Sequence, residues 1–404
     1  MNLPKKTEKG SVFVVKAVKV KENIYWVGAV DWDVRNFHGY LTQRGATYNA
    51  YLVIDDKITL IDTVKAGFED EILSRVESVV PLDKVDYIIV NHIEKDHSGA
   101  FPKVREACPN ATVVCDAKAQ EGLKAHYHKD YEAQLVKSGD TLKTGKYEFT
   151  FVQTPMVHWP DSMVTYLAAE KTLFPNDAFG QHFASSKRFD KEVPKDLLMY
   201  EASKYYANIV LPFGKQVQKA LQALGGLEID TICPSHGFIL QDRIPDFLDA
   251  YQRWSTNTTK EKAVVVYDSM WHATEKMAKA VYTAFENKGI EVKAMSLKEN
   301  HISDIMAEVL EAKYIAVGSP TLNSGMMPSV ASFLCYMKGL NPQNRVGIPF
   351  GSYGWSGQSP NLIKETMEAM KWEVLDQMDT MRLVYEPTKE QLNAITETVE
   401  NFVK

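Results

Sequence analysis

From Ala263 onward the sequence settles into one rhythm. The β-prone runs "AVVVYD", "IEVKAMSL", "KYIAVGSPT", "RVGIPFGSYG" and "WEVLDQM" are separated by helical stretches such as "TEKMAKAVYTAFENKG". A strand that pairs parallel to its predecessor needs a crossover of a dozen or more residues, and a helix commonly supplies it. Five strands with their helices in about 140 residues therefore predict a doubly wound parallel sheet, an α/β fold whose ligands bind beyond the carboxyl ends of the strands.

Three loops at those carboxyl ends have unusual compositions. Ser269, Met270, Trp271, His272, Ala273 and Thr274 place two hydroxyls and several backbone N–H groups at a helix N-terminus, an arrangement that binds a phosphate, although Ser and Thr are also ordinary caps. Ser319, Pro320, Thr321, Leu322, Asn323, Ser324 and Gly325 form the second loop, and Ser352, Tyr353, Gly354, Trp355, Ser356 and Gly357 the third. Their glycines and small hydroxyl residues, set around Tyr353 and Trp355, allow close approach to a planar ring and stacking on it.

The first half has a different pattern. Residues 11 to about 65 alternate and turn like antiparallel strands, and "TYNAYLVIDDKITLIDT" reads as a hairpin turning at Asp55, Asp56 and Lys57. Helices then interleave with strands: "FEDEILSRVESVV" and "KQVQKALQALGGL" have apolar residues at helical spacing, whereas "VDYIIV", "TVVCD", "KYEFTFVQTP" and "DTICPSH" read as strands. The polar segment "RWSTNTTKEK" separates this mixed α/β half from the next, so the expected domains are residues 1–256 and 262–404.

An apolar fraction of 45% and a charged fraction of 24% suffice for sizeable cores in a chain of 404 residues. The net charge of -6 and the scattered lysines argue against nucleic acid or a membrane surface as partners. No apolar run approaches the roughly 20 residues of a membrane span, and "MNLPKKTEKG" lacks the apolar segment of a signal peptide. Cys108, Cys115, Cys233 and Cys335 form neither a CxxC pair nor a framework spacing. A cytoplasmic protein with reduced thiols is expected.

Chemistry concentrates just past "VDYIIV", where "NHIEKDHSGA" crowds His92, Glu94, Asp96 and His97 into six positions. Further ligand types follow other expected strands: His158 in "VHWPDS", Asp177 in "LFPNDAFG" and His236 in "CPSHGF". Taken singly, these have plainer readings as a core histidine, a turn former and a loop residue. Four potential ligands within six positions are harder to read as a solvated face. His126 and His128 lie in a strongly polar segment and are set aside. Seven ligands exceed the needs of one tetrahedral zinc but suit two metals sharing a carboxylate. Three carboxylates contribute roughly -3, which two divalent cations bring near +1, whereas one cation leaves the site anionic. Four imidazoles and three carboxylates without a thiolate suit zinc, iron or manganese, and the oxygen-rich set tilts toward redox-active iron.

The second half resembles the flavodoxins, which implies FMN, with its phosphate held by the loop from Ser269 to Thr274 and its ring flanked by the other two loops. His272 stands where a small residue, often glycine, is usual. The first half resembles the metallo-β-lactamase fold, an αββα sandwich whose hallmark H-x-H-x-D-H here reads H-x-E-x-D-H through Glu94. In this order, and over essentially the whole chain, the two halves resemble the flavodiiron proteins in their simplest form, without an appended rubredoxin domain. The resemblance implies one iron nearer the flavin on His92, Glu94 and His158, a second on Asp96, His97 and His236, and Asp177 bridging them. Leu240 in "HGFIL" stands where many members are expected to carry tryptophan.

The resemblance further implies an oxidoreductase that reduces O2 to water, or alternatively nitric oxide, with electrons passed through FMN. It also implies a head-to-tail homodimer, or a dimer of such dimers, in which the FMN of one subunit faces the diiron centre of the other. The pattern as a whole looks most like the methanogen members, which oxidise the reduced deazaflavin coenzyme F420H2 directly, while other members take electrons from rubredoxin. Two rival classes remain at this point. A binuclear zinc hydrolase with a fused FMN module keeps nearly the same ligands and is separated by metal analysis, whereas a flavin redox sensor needs no intact metal site.

Overall fold

The computed structural model describes residues 15–403. Residues 1–14, which include the first four of the expected antiparallel stretch, and residue 404 lie outside the described residues. The chain divides into two compact units, one made of residues up to 35, 42–195 and 219–245, the other of 36–41, 196–218 and 246–404.

The first unit is built on two sheets. Strands β1 (Val18–Lys21), β2 (Ile24–Trp26), β3 (Tyr51–Val53), β4 (Ile58–Ile61), β5 (Val85–Val90), β6 (Thr112–Cys115) and β7 (Ala133–Leu135) pair in that order. The expected hairpin is β3 and β4, antiparallel with Val53 opposite Thr59. Strands β8 (Thr141–Lys143), β9 (Glu148–Gln153), β10 (Met163–Leu167), β11 (Thr172–Phe174) and β12 (Thr231–Ile232) form the second sheet, also in chain order.

Period-two alternation assigns the faces of the first sheet. In register across it, Leu52, Leu60, Ile88 and Val113 point to one side and pack with Ile72, Val76, Phe101 and Leu123 from the helical segments. Their neighbours Tyr51, Val53, Ile61, Ile89 and Val114 point to the other side and meet Phe149, Phe151, Met163 and Phe174 of the second sheet. "VDYIIV" is therefore apolar on both faces because both faces are covered. Phe149 is fully buried between the sheets. Phe149→Ala is expected to lower unfolding stability by about 3–5 kcal/mol, measured by denaturant titration.

The second unit carries the predicted parallel sheet. Strands β13 (Lys260–Tyr267), β14 (Glu291–Ser296), β15 (Ala312–Gly318), β16 (Val346–Tyr353) and β17 (Glu373–Val374) are all parallel and ordered β14-β13-β15-β16-β17. Chain order reverses between β13 and β15, so the loops after these two strands part and leave a crevice there. A short strand that the β-α rhythm did not reveal, β18 (Arg382–Val384), pairs with the far end of β16 from Gly351 to Tyr353.

Segment 196–218 packs within this unit through polar contacts that leave no periodic trace in the sequence. Buried Lys204 pairs with Asp304 at 2.5 Å. The amide of Asn208 donates to the Ser303 carbonyl at 3.0 Å and accepts from the Tyr336 hydroxyl at 2.8 Å. No helix among the described residues is long and apolar enough to cross a membrane.

Candidate functional site

Strands β9, β11 and β12 run in one direction, so their carboxyl ends share an edge of the second sheet. His158, Asp177 and His236 follow these strands, and the cluster from His92 to His97 follows β5. Buried Asn91 fixes the chain as it leaves β5. Its backbone N–H donates to Asp62 Oδ1 at 2.7 Å, its carbonyl accepts from Met163 N–H at 3.0 Å, and its side-chain oxygen accepts from Thr165 at 2.7 Å. One helical turn, Lys95–Ser98, then sets Asp96 and His97 side by side with Glu94 just before it. The Ser98 hydroxyl donates to the Ile93 carbonyl at 2.6 Å and closes that turn. After His236, Gly237 has φ +81, and a Cβ there meets the Gln181 carbonyl oxygen at 2.6 Å, so the turn requires glycine.

All seven candidates converge in two sets of donor atoms, each within 4.8 Å of one another: His92, Glu94, His158 and Asp177, and Asp96, His97 and His236. Asp177 reaches both. Its Oδ2 lies 3.6 Å from His92 Nε2 and 3.2 Å from His158 Nε2, while its Oδ1 lies 2.9 Å from His97 Nε2 and 3.4 Å from His236 Nε2. Glu94 Oε2 is 3.5 Å from His92 Nε2 and 3.3 Å from His158 Nε2. Asp96 Oδ2 is 3.3 Å from His97 Nε2 and 3.1 Å from His236 Nε2. Donors bound about 2.1 Å from a common ion stand roughly 3–3.5 Å apart, which is this spacing.

The residues present fit a pair of cations on a second ground. Nε2 of His92 and His97, both oxygens of Asp96 and Oδ1 of Asp177 are buried with no hydrogen-bond partner among the described residues. Buried polar atoms left this way are costly unless something else satisfies them. The electrostatics agree. Burial lowers the proton affinity of His97, but the Asp96 and Asp177 carboxylates outweigh it and raise the imidazole to about 9. His158 also rises to about 9, against burial, through Asp177 and Glu94. Burial opposes the charge on Asp177, yet His97 and His158 hold its carboxyl well below the usual range. Without cations, the cluster keeps its carboxylates ionised by holding protons on the imidazoles.

The second unit has a cleft of about 570 Å³ at the carboxyl ends of its sheet, lined from all three predicted loops. Ser269, Met270, Trp271 and Ala273 contribute from the first, Pro320 to Ser324 from the second, and Ser352, Tyr353, Gly354 and Trp355 from the third. The cleft starts at the N-terminus of the helix Ala273–Asn287, and Ser269 Oγ is buried without a hydrogen-bond partner among the described residues, as suits a phosphate. Trp271 and Trp355 are 85% and 79% exposed, open to a planar ring.

His272, Thr274, Ser319, Gly325, Ser356 and Gly357 do not line the cleft. Thr274 and Ser319 are buried and act as braces: the Thr274 and Ser352 hydroxyls are 2.8 Å apart, and Ser319 Oγ accepts from Met327 N–H at 2.9 Å. His272 has φ +67, the left-handed conformation that glycine adopts most readily, and its Nδ1 lies 2.8 Å from Glu275 Oε2 at the surface.

Comparison with known proteins decides the family. Residues 46–237 match the ODP family beta lactamase model and residues 265–396 the flavodoxin model. The chain is 46% identical to a nitric oxide reductase of Moorella thermoacetica, over 89% of this chain and 91% of that protein. It is 40% identical to the coenzyme F420H2 oxidase of Methanothermobacter marburgensis, over 94% and 96%. The structure of rubredoxin oxygen:oxidoreductase from Desulfovibrio gigas aligns with TM-score 0.93 at 42% identity, covering 96% of this chain and 98% of that one. The flavodiiron protein from Giardia intestinalis aligns with TM-score 0.93 at 36% identity, covering 96% of each. The chain belongs to the flavodiiron protein family. It is accordingly an oxidoreductase of the FMN and diiron class.

This flavodiiron protein surrounds its cluster of candidate ligands with further groups, most of which the sequence reading missed. The Asp161 carboxylate accepts from His92 Nδ1–H and from Ile93 N–H, both at 2.9 Å, and the Thr47 carbonyl accepts from His236 Nδ1–H at 2.6 Å. Each fixes a tautomer that turns an Nε2 lone pair toward the cluster. Asn49 ties down the His236 loop, donating to the carbonyls of Pro234 and Gly237 at 2.8 and 3.1 Å. His182 is buried with its ring 4.8 Å from that of His236. Leu240 is fully buried, and its N–H donates to the Ile232 carbonyl at 2.9 Å. On the cleft of the second unit, Tyr385 and Glu386 form a further wall. Asp161→Asn is expected to weaken metal binding about 10- to 100-fold while the fold is retained, measured by competition with a chelator alongside circular dichroism.

Proposed function

We propose that the chain reduces O2 to water at two irons, using electrons that enter through FMN from the reduced deazaflavin coenzyme F420H2. The observation that carries the diiron reading is Asp177, whose two oxygens face two separate sets of donors at 2.9–3.6 Å. On this reading His92, Glu94 and His158 hold one iron, Asp96, His97 and His236 the other, and Asp177 bridges them. Two ferrous ions and a two-electron-reduced FMN, when bound, supply the four electrons that convert O2 to two waters. Asp161 and the Thr47 carbonyl keep two of the imidazoles oriented. Ser269 and the helix N-terminus beginning at Ala273 hold the phosphate, while Tyr353 and Trp355 place the ring.

The open aromatic rim supports a planar donor that stacks on the flavin, and the 40% identity to a coenzyme F420H2 oxidase supports the deazaflavin in particular. A head-to-tail homodimer, proposed on the family resemblance, brings the flavin of one subunit to the irons of another. The cysteines make no disulfide, which supports a cytoplasmic setting. Nitric oxide is the second reading of the substrate, favoured by the 46% identity to a nitric oxide reductase.

The test is the metal and flavin content of anaerobically purified protein, followed by turnover with each donor and each oxidant. About two irons and one FMN per chain are expected, with rapid O2 consumption driven by F420H2. Two zincs, with no O2 reduction after reconstitution with iron, refute the diiron reading. Turnover with reduced rubredoxin alone refutes the donor and leaves the oxidase. Glu94→His is expected to shift metal preference toward zinc, because it replaces an oxygen ligand with imidazole.

A further inference from the structure

Tyr127, between the two set-aside histidines of "AHYHKD", touches the helical turn that carries Asp96 and His97. It is the last residue of the helix Ala117–Tyr127, which stops where His128 enters the left-handed conformation at φ +51. This helix lies directly on the ligand loop. A Cβ on Gly122, in its middle, would collide with the side chain of Ile93, which stands between His92 and Glu94. From the helix end the Tyr127 hydroxyl donates to the Ser98 carbonyl at 2.6 Å and lies 3.1 Å from Ser98 Oγ. The Ser98 hydroxyl gives its own proton to the Ile93 carbonyl at 2.6 Å, so the tyrosine is the donor toward Ser98.

The turn Lys95–Ser98 needs that donor, because a helix end leaves its last carbonyls without intrahelical partners. The Lys95 carbonyl takes the Gly99 N–H at 2.9 Å, and the His97 carbonyl takes the N–H of Thr63 at 3.2 Å and its hydroxyl as well. In an uninterrupted helix the Ser98 carbonyl would take the N–H four residues on, but residue 102 is proline and has none. Ser98 is 1% exposed, which leaves water little access to that carbonyl. The phenol supplies the missing hydrogen bond. Asp96 and His97 immediately precede Ser98, so a hold on Ser98 fixes the direction of both side chains. Glu94 lies ahead of the turn, and its neighbour Ile93 is held separately through the Asp161 carboxylate at 2.9 Å.

We propose that Tyr127 is a positioning residue for the set Asp96, His97 and His236, its hydroxyl fixing the end of the ligand turn and so the angle at which Asp96 and His97 meet a cation. This rests on the two-metal reading of the cluster. Groups that orient ligands change metal affinity about 10- to 100-fold when lost. Tyr127 acts one bond further out and Thr63 keeps its hold on His97, so the lower end of that range is expected.

Titration of full-length, metal-free protein with cobalt(II), read by visible absorption and by competition with a chelator, tests this in two backgrounds. His158→Ala leaves Asp96, His97, His236 and Asp177 to hold one ion. There Tyr127→Phe should weaken cobalt about tenfold and alter its absorption band. His236→Ala leaves His92, Glu94, His158 and Asp177, and there the same substitution should change affinity by less than about twofold. Phenylalanine keeps the ring that packs on the helical side of the first sheet, and circular dichroism checks that the fold is retained. A role confined to general stability would weaken both ions alike. Equal weakening in the two backgrounds, or a loss below about threefold in the first, overturns the role of Tyr127. Wild-type protein that takes up fewer than two cobalt ions overturns the two-metal reading, and the proposal with it.

Discussion

Asp177→Ala is expected to leave less than about 0.2 iron per chain and to slow O2 reduction at least about 10³-fold, whereas His158→Ala keeps about one iron. The difference follows from geometry. His158 Nε2 faces only the set formed with Glu94 and Asp177 Oδ2, at 3.3 and 3.2 Å. Asp177 faces both sets, so on the proposed assignment its loss removes one donor from each iron and about half a charge of compensation per cation. Its loss also leaves four imidazoles facing two carboxylates, so less negative charge remains to hold two cations among them. The fold is expected to survive, since Asp177 lies beyond the end of β11 and the core between the sheets is formed by other residues. FMN content and the rate of FMN reduction by the donor should stay within about twofold of wild type, because no residue of the flavin cleft is touched. Metal analysis of both variants after anaerobic purification is the measurement. Equal iron occupancy in the two would falsify the bridging role.

What the sequence made legible was local or periodic. The strand "VDYIIV" declared itself by a run of β-prone apolar residues, and the four candidates after it were visible because they fall within six positions. His158, Asp177 and His236 could be gathered only by residue type and by position after a strand, and pairing of β9, β11 and β12 in one direction is what brings them together. Asp161 shows the limit. It lies 69 positions from His92, in a turn where aspartate has an ordinary role, and only the folded chain brings its carboxylate to the imidazole. The Thr47 carbonyl carries no sequence signal, since any residue supplies a backbone oxygen.

The second unit repeats the contrast. Five strands and three glycine- and hydroxyl-rich loops were legible, and the loops do line one cleft. Tyr385 and Glu386 were not, because they follow a three-residue strand that pairs only with the end of β16. Nor was the packing of segment 196–218 into this unit, which rests on buried Lys204 with Asp304 and on Asn208 with Ser303 and Tyr336. A lysine in sequence reads as solvated, and only its fully buried position here reverses that reading.

Ser269→Asp is expected to weaken FMN binding by about 10³-fold or more while leaving the iron content unchanged. Ser269 Oγ is buried without a partner among the described residues where the cleft meets the N-terminus of the helix Ala273–Asn287, so a carboxylate there stands beside the proposed phosphate position. Two unit charges about 4 Å apart repel by roughly 4 kcal/mol at an effective dielectric constant near 20, and the phosphate carries more than one charge. By affinity arithmetic that is a factor of about 10³. Lys298 does not cancel it, because its ammonium already binds the Ser269 carbonyl and lies 3.6 Å from Asp268 Oδ1. Ser269→Ala separates charge from the loss of a donor, since removing one hydrogen bond to a charged group costs about 1.5–3 kcal/mol, or roughly 10- to 100-fold. Titration of the flavin-free protein, read by quenching of flavin fluorescence, gives both affinities. Near-wild-type FMN binding by Ser269→Asp would move the phosphate away from this loop. An equal loss in both variants would assign the effect to the hydroxyl rather than to charge.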